Sequence, residues 1–184
     1  MSANGSWFGN QADILNNIAN NLLPVERLVT GAAYLLGLAF AFKAIYSLKI
    51  YGEARTMMSS NTSIKEPILY LLVAGIFIYF PTGLAVMLQT TFGSSNILQY
   101  APVNSKNQSL SIFSSGSVVG RPLSIIIQTI GVIAFVRGWV LIARGASQGQ
   151  PGGTGKGLMH VFGGILAMNI VATLEIINNT IYGT

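Results

Sequence analysis

"PILYLLVAGIFIYFPTGLAVMLQTTF", residues 67–92, decides the fold. The whole run passes without a charged side chain, and it exceeds the roughly 20 residues that a helix needs to cross a hydrocarbon core. Helix is the expected conformation, because an open strand leaves its backbone polar groups unsatisfied in lipid. Pro81 lies near the middle of the run. It has no N–H and its ring crowds the preceding turn, so the helix is expected to kink or break through Phe80–Gly83.

Three further runs are of the same kind. "LVTGAAYLLGLAFAFKAIYSL" covers 28–48, "PLSIIIQTIGVIAFVRGWVLIA" 122–143 and "LMHVFGGILAMNIVATLEIINNTIY" 158–182. No repeat of 20–50 residues is evident. Over its 184 residues the chain is 51% hydrophobic and 8% charged, against about 25% charged in a typical soluble domain. Such a surface cannot be wetted all round, so the expectation is an all-α, polytopic membrane protein with about four transmembrane helices. The chain has no cysteine, which removes disulfides and thiolate metal sites from consideration.

The leading segment, 1–27, has no basic start and no small-residue cleavage site, unlike a signal peptide. Trp7, Phe8, Ile14, Leu15, Ile18, Leu22 and Leu23 fall near helical spacing, which points to an amphipathic helix at the interface, ended by Pro24. The expected organisation is this segment followed by a transmembrane domain over 28–184.

Orientation follows the basic residues. Lys49, Arg55 and Lys65 lie between spans one and two, and Arg144 and Lys156 between spans three and four. Arg27, Lys106 and Arg121 lie on the other side, spread over a longer total loop length. Both short loops are therefore expected in the cytoplasm, with the termini and the Ser/Asn-rich loop at 93–121 outside.

Two motifs imitate enzymes. "GQPGGTGKG", 149–157, resembles a phosphate-binding loop, but Gln150 stands where the first glycine belongs and Gly157 where the Mg²⁺ ligand belongs. It also joins two spans instead of following a buried strand. The expected structure is a tight hairpin whose glycines supply positive φ, with Arg144 and Lys156 at the headgroups. "GASQG", 145–149, fits the nucleophile elbow around Ser147, yet no Asp or Glu lies between Ser147 and the lone His160. Neither a catalytic residue, a cofactor site nor a metal site is expected, and nucleotide and nucleic acid are not expected partners.

Polar groups inside spans carry more information. Arg137 lies roughly 9 Å inside the cytoplasmic end of span three if that span is a straight helix. Glu175 is opposite to it in charge. A straight span four would carry Glu175 roughly 25 Å from the cytoplasmic side, so Asn169 or a carboxylate on another subunit is the better partner for Arg137. Arg27 or Arg121 suits Glu175, and Lys43 is expected to snorkel. Gly131 and Gly138 share a face of span three, Gly37 and Ala41 one of span one, and Gly163, Gly164 and Ala167 line span four. Such spacing permits close backbone contact in lipid. "GGILAMNI" is expected to pack against a neighbour, anchored by Asn169.

"LKIYGEARTMMSS" (48–60), "IKEPILYLLVAGIFIYFPTGL" (64–84) and "TTFGSSNILQY" (90–100) resemble, in that order, the IcmC/DotE family of type IVB (Dot/Icm-type) secretion systems. The TraQ-type conjugation proteins are similar. "FVRGWVLIARGASQG" and "GKGLMHVFGGILAMNIV" also resemble the sister components IcmD/DotP and DotV. The likeness covers about residues 28–175. It implies a multi-pass, non-catalytic bacterial inner-membrane subunit of a machine that exports effectors or DNA–protein substrates, in contact with other membrane subunits. A self-assembling pilin-like or pore-forming protein is the alternative, favoured by the polar content of spans three and four.

Overall fold

The computed structural model describes residues 4–57, 63–93, 108–113, 117–148 and 153–183. Every regular element among them is helical: α1 (Asn4–Thr56), α2 (Lys65–Ile78), α3 (Phe80–Phe92), α4 (Gly120–Gln148), α5 (Gly153–Met168) and α6 (Ile170–Tyr182), with a 3₁₀ helix at Gln108–Phe113. Two helices are long and apolar enough to cross a membrane, or up to four if each of two bent pairs counts as one span.

α1 is one helix of 53 residues with Pro24 inside it. The expectation that Pro24 ends a separate amphipathic helix is corrected, and no break falls between residues 27 and 28. Pro24 is exposed, and the helix continues through it.

α1 and α2 run antiparallel. Phe40 stacks on Tyr70 at 5.9 Å and meets Phe77 at 6.1 Å, while Gly37 takes the end of α2: a Cβ there would sit 3.0 Å from the Ile78 nitrogen. The ring contacts continue through Phe80 to Phe135 and Trp139 on α4, at centroid distances of 6.4, 6.1 and 6.2 Å. Tyr70, Phe77, Phe80 and Phe135 are all buried, and this aromatic row is the core that joins α1, α2 and α4.

The second apolar run breaks at Tyr79, just before the Phe80–Gly83 stretch where the break is expected, and that stretch is itself the first turn of α3. α2 stops at Ile78, α3 restarts at Phe80, and the two are bent by 90°. The fourth run breaks too, at Asn169, by 92°. That corrects the expectation of a continuous helix over 158–182. No proline stands there, and the cause is tertiary, as described below.

The two halves of the chain share one plan. Each has a long helix, an antiparallel partner of 14 or 16 residues, a right-angled break, and a 13-residue helix closed by a left-handed glycine. Tyr79 and Asn169 are separated by the same 90 residues as the caps Gly93 (φ 72) and Gly183 (φ 66). At that offset Pro67 and Gly157, Ala74 and Gly164, and Leu88 and Asn178 are buried in both copies. The breaks also lie at nearly one level on α4. Phe80, the first residue past one, meets Phe135, and Met168, the last before the other, abuts Gly131.

Candidate assembly site: a glycine seam, two breaks and exposed charges

Gly131, Gly138 and Gly145 recur every seven residues on α4, which keeps them on one face of a helix. All three meet α5. A Cβ at Gly131 would lie 2.7 Å from the Met168 nitrogen and 2.9 Å from the Gly164 oxygen. At Gly138 it would meet the Val161 nitrogen at 2.7 Å and the Gly157 oxygen at 2.8 Å, and at Gly145 the Thr154 nitrogen at 3.0 Å. From the other side, a Cβ at Gly164 would meet the Gly131 oxygen and the Phe135 nitrogen at 2.8 Å. Here backbone packs on backbone for the length of α5. Dispersion contacts over that length, and not burial of apolar surface from water, hold such a pair in lipid.

The two adjacent glycines of span four therefore face different ways. Gly164 is buried against α4 of its own chain, whereas Gly163 is exposed, with nothing within 4 Å of its would-be Cβ. Ala167 is half-buried, and its backbone carbon lies 3.0 Å from the would-be Cβ of Gly131.

The described glycines of "GQPGGTGKG" do not supply the positive φ expected of them. Residues 149–152 lie outside the described residues, and Gly153 to Gly157 are the opening turns of α5. Among the described glycines only Gly93 and Gly183 have positive φ. Gly153 and Gly157 serve close approach to α4, and Lys156 is exposed.

The two breaks rest on different chemistry. At the first, Pro81 stands at the second position of α3 and cannot donate to the Phe77 carbonyl. Tyr79 (69% exposed), Pro81 and Thr82 all lie on the surface. At the second, Thr173 is buried and its hydroxyl donates to the carbonyls of Leu166 and Asn169, both at 2.9 Å. It thus supplies a donor to the Leu166 carbonyl beside the break. Val171 packs beside it with Phe113 of the 3₁₀ helix, Leu123 and Leu174.

The remaining intramembrane candidates separate into partnered and unpartnered groups. The Lys43 ammonium sits 4.5 Å from the centroid of the Tyr70 ring, a cation–π contact that a snorkelling reading did not include. Glu26 accepts a hydrogen bond from Thr129 at 3.3 Å, a cross-helix contact that nothing in the spacing of residues 103 apart could have revealed. Arg137 and Glu175 are both exposed, and among the described residues no hydrogen bond joins Arg137 to Asn169 and no ion pair joins Glu175 to Arg27, Arg121 or Arg137. The Nδ1 of His160 lies 2.8 Å from the Lys156 carbonyl.

Outside the seam the surface is apolar. Leu28, Leu35 and Phe42 recur every seven residues on α1 at 71%, 71% and 72% exposure. A water-soluble monomer seldom presents such a ridge. Among the described residues no group of three or more His, Asp or Glu could hold a metal ion. No family model, curated protein or solved structure matches this chain.

Proposed function

We propose that the chain is a non-catalytic inner-membrane subunit of a type IVB secretion or conjugation apparatus, helping to assemble the channel that exports effectors or DNA–protein substrates. Support from the sequence is the resemblance carried by residues 48–60, 64–84 and 90–100 and by the later run. Support from the structure is one feature above the rest, the exposed break at Tyr79.

Pro67 and Leu158 mark where the apolar runs begin on the basic-loop side. Tyr79 lies a dozen residues beyond Pro67, roughly 18 Å at 1.5 Å per residue, which is near the middle of a core about 30 Å thick. Interrupted backbone at that depth is tolerated only where protein or a water-filled cavity covers it. The described residues leave Tyr79, Pro81 and Thr82 uncovered. A neighbouring subunit covers them, and lipid fills the rest of the apolar surface.

Affinity purification of the full chain from native membranes tests this reading. Other membrane subunits of a secretion apparatus are expected to co-purify, and recovery of the chain alone would overturn it. Orientation has its own test, made simple by the absence of cysteine. In intact cells Ser63→Cys and Thr154→Cys, both at exposed positions, should resist a membrane-impermeant thiol reagent, and Val118→Cys should react. The opposite labelling pattern would invert the topology.

A further inference from the structure

Arg137 and Glu175 stand inside the third and fourth apolar runs, opposite in charge and both exposed. A straight fourth span separates them in depth by more than half a bilayer. The break at Asn169 removes that separation. Met168 lies against Gly131 of α4, and α6 then leaves α5 at 92°. Since α5 packs along α4, the residues of α6 run nearly across the bundle and gain little height. Glu175 stays close to the level of Gly131, which is roughly 9 Å along α4 from Arg137.

The direction of the arginine side chain closes part of that gap. Cα–Cβ bonds in a helix tilt toward its N-terminus, so Arg137 leans toward the Gly131 level and away from the cytoplasmic end. The same tilt works against snorkelling to the nearer interface.

We infer that Arg137 of one copy pairs with Glu175 of a second copy. Copies inserted in one membrane share an orientation, so groups whose levels within a chain differ by no more than their side chains reach can meet across chains. The flanks fit such a contact. Ile130 and Ile133 are 58% and 46% exposed beside Arg137, and Ile176, Ile177 and Ile181 are 52%, 48% and 67% exposed around Glu175 on α6. Away from water the two charges neutralise each other, which relieves the cost of holding either in hydrocarbon. The contact joins different patches on the two copies, so it propagates head to tail and closes into a ring if the rotation allows.

This inference rests on the reading of the chain as a membrane subunit, and its test is separate from co-purification. Copies bearing Ile133→Cys with one tag are co-expressed with copies bearing Ile176→Cys with another, both charges being kept, and treated with a short bifunctional thiol reagent. A product carrying both tags is expected, at least tenfold above that from Lys43→Cys paired with Ile176→Cys. Arg137→Glu or Glu175→Arg alone should lower recovery of one tagged copy by the other at least tenfold, and the double exchange should restore it. Detergent melting of each variant checks its fold. Absence of the mixed product overturns the inference. So does failure of the double exchange when Arg137→Glu also releases companion subunits, which would assign the carboxylate to another polypeptide. Unchanged self-recovery by all variants would assign Arg137 to lipid headgroups. Mixed product without companion subunits would keep this contact and sink the secretion reading, and companions without mixed product would do the reverse.

Discussion

Replacing Gly138 by leucine is expected to open the α4–α5 hairpin. Its first added atom would meet the Val161 nitrogen at 2.7 Å and the Gly157 oxygen at 2.8 Å, and neither backbone atom can rotate aside. The helices must separate, and the contacts at Gly131 and Gly145 loosen with them. Overpacking typically costs about 1–3 kcal/mol, and the backbone contact puts this variant at the upper end. Trp139 is a suitable reporter because its ring lies 6.2 Å from Phe135 in the adjoining core. With Trp7 replaced by phenylalanine, the fluorescence melt in detergent should move sharply to lower temperature. Gly163→Leu is the control: its Cβ meets nothing within the chain, and leucine favours helix over glycine by roughly 0.5–1 kcal/mol. An unshifted melt for Gly138→Leu would mean that the seam does not hold the two helices together.

Pro81→Ala is expected to straighten the second apolar run. No side-chain hydrogen bond caps α3, and Tyr79 at the break is mostly exposed. The proline itself is the chief obstacle to continuity, at a cost of roughly 3 kcal/mol in a helix interior. Alanine restores the donor for the Phe77 carbonyl. Opposing it are the contact of Phe80 with Phe135, an aromatic pair contributing about 0.5–1.5 kcal/mol beyond its area, and the burial of Leu84 and Leu88 in the same core. Spin labels at the exposed positions Ile68 and Gln89 should then read about 31 Å along one continuous helix, against about 22 Å across the right angle. A distance unchanged by the substitution would show that packing, and not Pro81, sets the bend. Under the proposed assembly, the straightened variant should also lose its companion subunits, since the surface assigned to them would have moved.

The pairing of these two sites shows where local chemistry is sufficient. Pro81 acts on the four residues before it, so the break at Tyr79 can be derived from the run 67–92 alone. The break at Asn169 has no such residue. It depends on Thr173 donating to Leu166 and on Val171 packing with Phe113, and Phe113 belongs to a segment 56 residues upstream. Pro24 is the converse case. Its chemistry is that of Pro81 and its position is likewise exposed, yet α1 continues through it.

Apolar length and the scarcity of charge are sums over consecutive residues, and they determined on their own that this chain is helical with segments long enough for a membrane. Seven-residue glycine spacing likewise defined a packing face on span three before its partner was visible. Only the tertiary structure decided that this partner is α5 of the same chain, that Gly164 faces it while Gly163 faces out, and that Lys43 lies over Tyr70. It also brought Glu175 to the level of Gly131, against the depth that a straight helix assigns. The reason is physical: a residue's height and facing depend on where its helix is bent and against what it is pressed, and both are set by contacts between segments far apart in the chain.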